Sequence, residues 1–191
     1  MIVVTGFGPF LDVTDNPSAR LARAVDGRSA GDLLVVGHVL PVSFGRAIPE
    51  LHRFVANLPT RPRLLLGTGV ARSTACGRLE RTAAPSSRGL DVDGRGGALR
   101  VPAVPRYARA DLPRLASALD VAISDDAGRY VCNAWLYDAT AAFPHTAVAF
   151  LHVPDTGFDA ERLLRGLARY FATGAGGAGG VGGVTGAIGP P

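Results

Sequence analysis

Cys132 and His152 are the residues of this chain best placed to do covalent chemistry. The cysteine lies in Gly128-Arg129-Tyr130-Val131-Cys132-Asn133, and the histidine follows in Phe150-Leu151-His152-Val153-Pro154. A thiol attacks a carbonyl carbon as the thiolate, and a helix N-terminus plus an imidazole stabilises that form. The turn Asp125-Asp126-Ala127-Gly128 places Cys132 at the mouth of a helix. There the first-turn amides can hold a charged sulfur and also donate to an oxyanion. His152 closes an apolar strand, and Glu80, in Arg78-Leu79-Glu80-Arg81, is available to orient the ring. Together these are the parts of a cysteine hydrolase. Spacing alone reads Glu80 as a solvated surface carboxylate.

Other chemistries lack their parts. The 20 basic residues are all arginine, so Schiff-base chemistry, a Walker phosphate loop and a Ser-Lys dyad have no amine to use. His38 falls in a strand, His52 in a helix and His145 in a turn, with no metal-ligand spacing among them and no Cys-x-x-Cys, so no metal and no cofactor is expected. Gly6-Phe7-Gly8 lacks the third glycine of a dinucleotide loop, and Asp91-Val92-Asp93-Gly94 lacks the later glutamate of a calcium loop. Cys76, in an irregular arginine-flanked loop, reads as incidental. With no secretory signal in view, two thiols are expected rather than a bridge.

Net charge is +4, but the arginines are scattered and aromatic residues make up only 7%. No basic stripe is interleaved with stacking rings, so nucleic acid is not an expected partner. No apolar run approaches the ~18 residues that span a bilayer, and the chain opens directly into Met1-Ile2-Val3-Val4-Thr5. A cytoplasmic protein with no membrane contact is the expectation.

The elements that must position these groups alternate. Strands are expected at Ile2 to Thr5, Leu33 to Leu40, Arg63 to Gly67, Val121 to Ser124 and Thr146 to His152. Between them, Asn16-Pro17 opens a helix to Ala24, and Ser43 caps a helix with Ile48, Leu51, Phe54, Val55 and Leu58 on one face. Asp111 caps another to about Leu119, a helix carries Cys132 and Trp135, and Asp159 to Phe171 presents Leu163, Leu164, Leu167 and Phe171 inward. Residues 68–106 show little periodicity, as in functional loops or loops carrying short strands. The alternation predicts a single-domain three-layer αβα fold over residues 1–173, with a mainly parallel, doubly wound sheet. Gly6, Gly67, Ser124 and His152 then fall at carboxyl ends of strands, where functional groups gather. Residues 174–191 read as a glycine-rich flexible tail.

Several motifs, in order, resemble the pyroglutamyl peptidases, also called pyrrolidone carboxyl peptidases. Val4-Thr5-Gly6-Phe7-Gly8-Pro9-Phe10 with Asn16-Pro17 is similar to the family's N-terminal signature, and Leu40-Pro41-Val42-Ser43-Phe44 to its Leu-Pro-Val-x-Phe. Glu80-Arg81 resembles the motif of the acidic triad member, Tyr130-Val131-Cys132-Asn133 that of the nucleophile and Phe150-Leu151-His152-Val153-Pro154 that of the histidine. After Glu-Arg the family usually has an alanine and then an asparagine, whereas Thr82-Ala83-Ala84-Pro85 supplies no asparagine.

The resemblance implies a Cys132-His152-Glu80 triad acting through an acyl-enzyme on the bond after an N-terminal pyroglutamate. It also implies a ring pocket of Phe7, Phe10, Tyr130 and Val131, Arg88 as the oxyanion arginine, peptides with blocked N-termini as substrates, and a homo-oligomer. Two alternatives stay open on the sequence: a relative that binds blocked N-termini without cleaving them, and a thiol hydrolase of another small amide.

Overall fold

The computed structural model describes residues 1–72 and 75–172. The segment read as a flexible tail, 174–191, lies outside the described residues. Seven strands form one sheet. In chain order they are β1 (Ile2–Phe7), β2 (Ser29–Ala30), β3 (Leu33–Leu40), β4 (Leu64–Val70), β5 (Arg78–Glu80), β8 (Ala122–Ser124) and β9 (Ala147–Val153), and their spatial order is β2-β3-β1-β4-β9-β5-β8. A separate two-stranded ladder pairs β6 (Thr82–Ala83) with β7 (Arg106–Tyr107). The helices are α1 (Pro17–Val25), α2 (Ala47–Ala56), α3 (Leu112–Leu119), α4 (Val131–Ala142) and α5 (Ala160–Ala172).

The sheet is mainly parallel, as predicted, but not throughout. β3, β1, β4 and β9 run parallel, while β2 is antiparallel to β3 and β5 is antiparallel to β9. Side chains alternate across it with the strand period of two. Ile2, Val4, Leu64, Leu66, Ala149 and Leu151 join one core with α1, α3 and α5, whereas Val3, Leu65, Val148 and Phe150 join a second core with α2 and α4. The result is a three-layer αβα sandwich.

The periodicity transfers directly to the chemistry. Phe150 faces the α2/α4 layer, so His152, two residues on, faces it as well. Leu79 belongs to the opposite core, so Arg78 and Glu80 lie on the same face as His152.

Helix starts follow their capping residues. Asn16 Oδ1 accepts from Ser18 N at 3.0 Å, and Asp111 Oδ1 accepts from Arg114 N at 3.2 Å, satisfying first-turn donors. Ser43 caps the turn before the helix, which begins one turn later than predicted. Its hydroxyl accepts from Gly45 N and Arg46 N, and the helix proper runs from Ala47 to Ala56, short of Leu58, which still packs half-buried against the same core. In α5, Tyr170 is buried with the leucines, and Phe171, as expected, packs half-buried against the same core, with the Arg63 guanidinium over its ring. β4 continues past Gly67 to Val70, so Gly67 is inside a strand rather than at its end.

Candidate active site

Two packing facts bring the sulfur to the imidazole. Cys132 lies in the first turn of α4, after an extended Tyr130 N-cap. Gly67 and Gly69 share the face of Leu65, which looks toward α4. A Cβ on Gly67 would meet the Trp135 ring at 2.6 Å, and one on Gly69 would meet Cys132 Sγ at 2.7 Å and Phe150 at 2.9 Å. α4 thus runs back along β4, with Trp135 over one glycine and Cys132 over the other. Gly69 is also the register partner of His152 on β9. The missing side chain leaves the space that the sulfur occupies, beside the strand position of His152. Gly69→Ala is expected to lower kcat about a hundredfold with the fold retained, because displacement of a reacting atom by an ångström costs that much. Steady-state kinetics beside a thermal melt measures it.

His152 is held from both sides. Its Nδ1 lies 2.6 Å from Glu80 Oε1, and its ring stands edge-on to Phe150 with centroids 5.0 Å apart. Burial disfavours the imidazolium, but the hydrogen bond and charge of Cys132, then those of Glu80, outweigh it and raise the His152 pKa from 6.5 to about 9. Glu80 is wholly buried, not the solvated carboxylate that spacing implied. Burial opposes its charge, yet hydrogen bonds from His152, Ser124 and Arg78 overcome that cost and hold its pKa below the ordinary value. Arg78 Nε donates to the same Oε1 at 2.7 Å. Glu80 reaches His152 diagonally, because β5 pairs antiparallel with β9 and sets Arg78 opposite His152.

A cavity of about 220 Å³ opens at this point, lined in part by Phe7, Phe10, Asn16, Tyr130, Val131, Cys132 and His152. The Phe10 and Tyr130 rings lie 6.1 Å apart at their centroids, and Phe44 meets Tyr130 edge-on at 5.7 Å. Asn16 fixes the loop that carries both phenylalanines. Its Nδ2 donates to Gly8 O at 3.0 Å, while the Ser18 hydroxyl it accepts from takes the Phe7 N–H.

Of the residues singled out in the sequence, Cys132, His152, Phe7, Phe10, Tyr130 and Val131 share this cavity, with Glu80 behind the imidazole. Arg88 does not join them. It is exposed, off the cavity wall, and its backbone N–H bonds Arg129 O. The chain is one short strand, β6, and a loop past Glu80 at that point, and it runs along the outside of the α4 N-terminus. The arginines on the wall are Arg78 and Arg129. Cys76 is exposed and makes no disulfide with Cys132.

Sequence reasoning passed over Asn133. Fully buried beside Cys132, it accepts from Ala84 N at 2.7 Å and donates to Ala84 O and Ser86 O. This clamps the segment after Glu80 onto α4 and satisfies the backbone where Ala84 offers no polar side chain. Its adjacency to Cys132 was the available signal.

A buried acid, an imidazole and a thiol in series, with the thiol on a helix N-terminus, define a cysteine hydrolase site. The family model for pyroglutamyl peptidase matches residues 1–157. The pyrrolidone-carboxylate peptidase of Pyrococcus furiosus is 31% identical over 169 residues, covering 80% of each chain. That of Cupriavidus taiwanensis is 32% identical, covering 80% of this chain and 77% of its own. Among solved structures, a mutant pyrrolidone carboxyl peptidase from Pyrococcus furiosus superposes with a TM-score of 0.75 at 25% identity, covering 90% of this chain and 96% of that one. The Thermococcus litoralis enzyme shares the fold at a TM-score of 0.76 and 23% identity, covering 88% of this chain and 90% of that one. The chain belongs to the pyroglutamyl peptidase family.

Proposed function

We propose that this protein is a cysteine peptidase that hydrolyses the amide bond after an N-terminal pyroglutamate. The observation that carries the reading is the buried Glu80–His152 pair sharing an aromatic-lined cavity with Cys132 on the first turn of α4. The imidazolium holds Cys132 as thiolate, and Glu80 fixes the ring with Nδ1–H toward itself and Nε2 toward sulfur.

The thiolate attacks the pyroglutamyl carbonyl carbon and forms the C–S bond, while the carbonyl π pair moves onto oxygen. The amides of the α4 first turn face that oxygen. Collapse of the tetrahedral species breaks the C–N bond, and His152 gives its proton to the departing amine. Water, deprotonated by His152, then cleaves the thioester and releases pyroglutamate and the regenerated thiolate.

Phe7, Phe10, Tyr130 and Val131 fit the role of ring pocket. A lactam has no charged amine, so an apolar slot suits it. Linear glutamate would carry charge into that slot, and proline would leave any partner of the lactam oxygen unpaired. The test uses fluorogenic amides of pyroglutamate, proline and glutamate. Release from the pyroglutamyl compound alone is expected, and equal release from proline would refute the specificity.

A further inference from the structure

Arg78 is the one arginine on the cavity wall whose charge is committed to the triad. Its Nε donates to Glu80 Oε1, the oxygen that also meets His152. The other wall arginine, Arg129, spends a terminal nitrogen on Asp126 Oδ1 and Gly128 O. Among the described residues, the two terminal nitrogens of Arg78 have no hydrogen-bond partner. The side chain is 29% exposed, and no aspartate or glutamate lines the cavity with it.

Its position relative to the reaction follows from the register. Arg78 stands directly opposite His152 across the β5–β9 pair, on the same face of the sheet. The ring that protonates the leaving amine must lie beside that amine. With the pyroglutamyl ring in the proposed pocket of Phe7, Phe10, Tyr130 and Val131, the leaving amine lies at His152 and hence beside Arg78 on the same cavity wall.

We propose that Arg78 selects leaving residues that carry a carboxylate, received by its two terminal nitrogens while Nε stays on Glu80. The inference rests on the pyroglutamyl peptidase reading and deepens it. Either an α-carboxylate, two bonds from the amine nitrogen, or the side chain of aspartate, three bonds away, brings the same group to this place. A guanidinium presents paired donors that match a carboxylate's two oxygens. The charges of Arg78 and His152 are already balanced by Glu80 and the thiolate, so the gain is local hydrogen bonding rather than a broad positive field. The expected preference is therefore about tenfold in kcat/KM.

The experiment compares two isosteric pairs with the full-length enzyme. Pyroglutamyl-aspartyl-amide is measured against pyroglutamyl-asparaginyl-amide, and pyroglutamyl-alanine against pyroglutamyl-alanine-amide. The first pair reads a side-chain carboxylate and the second a terminal one. A preference for the acid in either pair, shrinking as salt rises, supports the proposal. Loss of that preference in Arg78→Gln, with part retained in Arg78→Lys, supports it further. The ratio is unaffected by any general loss that Arg78→Gln causes through Glu80, and the wild-type ratio and its salt dependence need no variant. Ratios of one or below in both pairs, or a preference that persists in Arg78→Gln, overturn it. Turnover of none of the four compounds refutes the peptidase reading itself, and this proposal with it.

Discussion

Replacing Cys132 with alanine is expected to reduce pyroglutamyl-amide hydrolysis by about 10⁴-fold or more, since the residues of a triad act as a unit. The fold should survive. Cys132 is only partly buried and lies at a cavity edge, opposite the bare face of Gly69, so truncation removes one sulfur without opening a closed core. The variant should still bind pyroglutamyl peptides, because the aromatic slot is untouched. Isothermal titration beside a stopped assay separates the two. Hydrolysis that persists in Cys132→Ala removes the nucleophile from the mechanism. The same sulfur should be the site of inactivation by iodoacetamide, with pyroglutamate protecting it, which peptide mapping would read.

Glu80→Gln has the second-largest expected effect, a loss of about 10³- to 10⁴-fold in kcat, because a neutral amide no longer fixes the catalytic tautomer. Its pH dependence follows from the His152 environment. In the native protein His152 keeps its proton up to about pH 9, so the rate should fall as pH rises through that value and the leaving amine loses its acid. Loss of the Glu80 charge removes one of the interactions that raise the His152 pKa, and the alkaline limb should move to lower pH.

Stability follows the same linkage. A histidine raised from 6.5 to about 9 contributes fully below the lower value, and its contribution is lost as pH climbs through the upper one. Glu80, held below its ordinary range, contributes above that range, and the contribution fades as pH falls through its folded pKa. Denaturant midpoints from pH 2 to 10 should therefore decline at both ends. In Glu80→Gln the acid-side decline should shrink, and the alkaline decline should begin earlier. An alkaline limb at the same pH in both proteins would exclude His152 as the titrating group.

Much of this was legible in the residues. Asn16-Pro17 and Asp111 placed two helix starts because a capping oxygen acts on amides two or three residues away. The Leu33 to Leu40 strand and the α5 leucines followed from periodicity. Where that reasoning stopped, a long-range partner was the cause. Gly67 reads as a strand terminus because glycine is a poor strand former, yet it lies within β4 because Trp135, from sixty-odd residues later, fills its face. Glu80 reads as surface because its flanking arginines are polar, yet it is buried because β5 inserts between β9 and β8. The family resemblance implies Arg88 at the oxyanion. The intervening segment instead takes it outside, over the α4 N-terminus.

By itself, then, the sequence determined which groups are present and which local elements carry them: a thiol at a helix mouth, an imidazole ending an apolar strand, and alternating strands and helices around them. Those features depend on neighbours within a turn or two. The tertiary structure alone decided that β5 runs antiparallel to β9. That reversal sets Arg78 across from His152 and Glu80 beneath the ring, and it depends on pairing between strands some seventy residues apart, which no local pattern encodes.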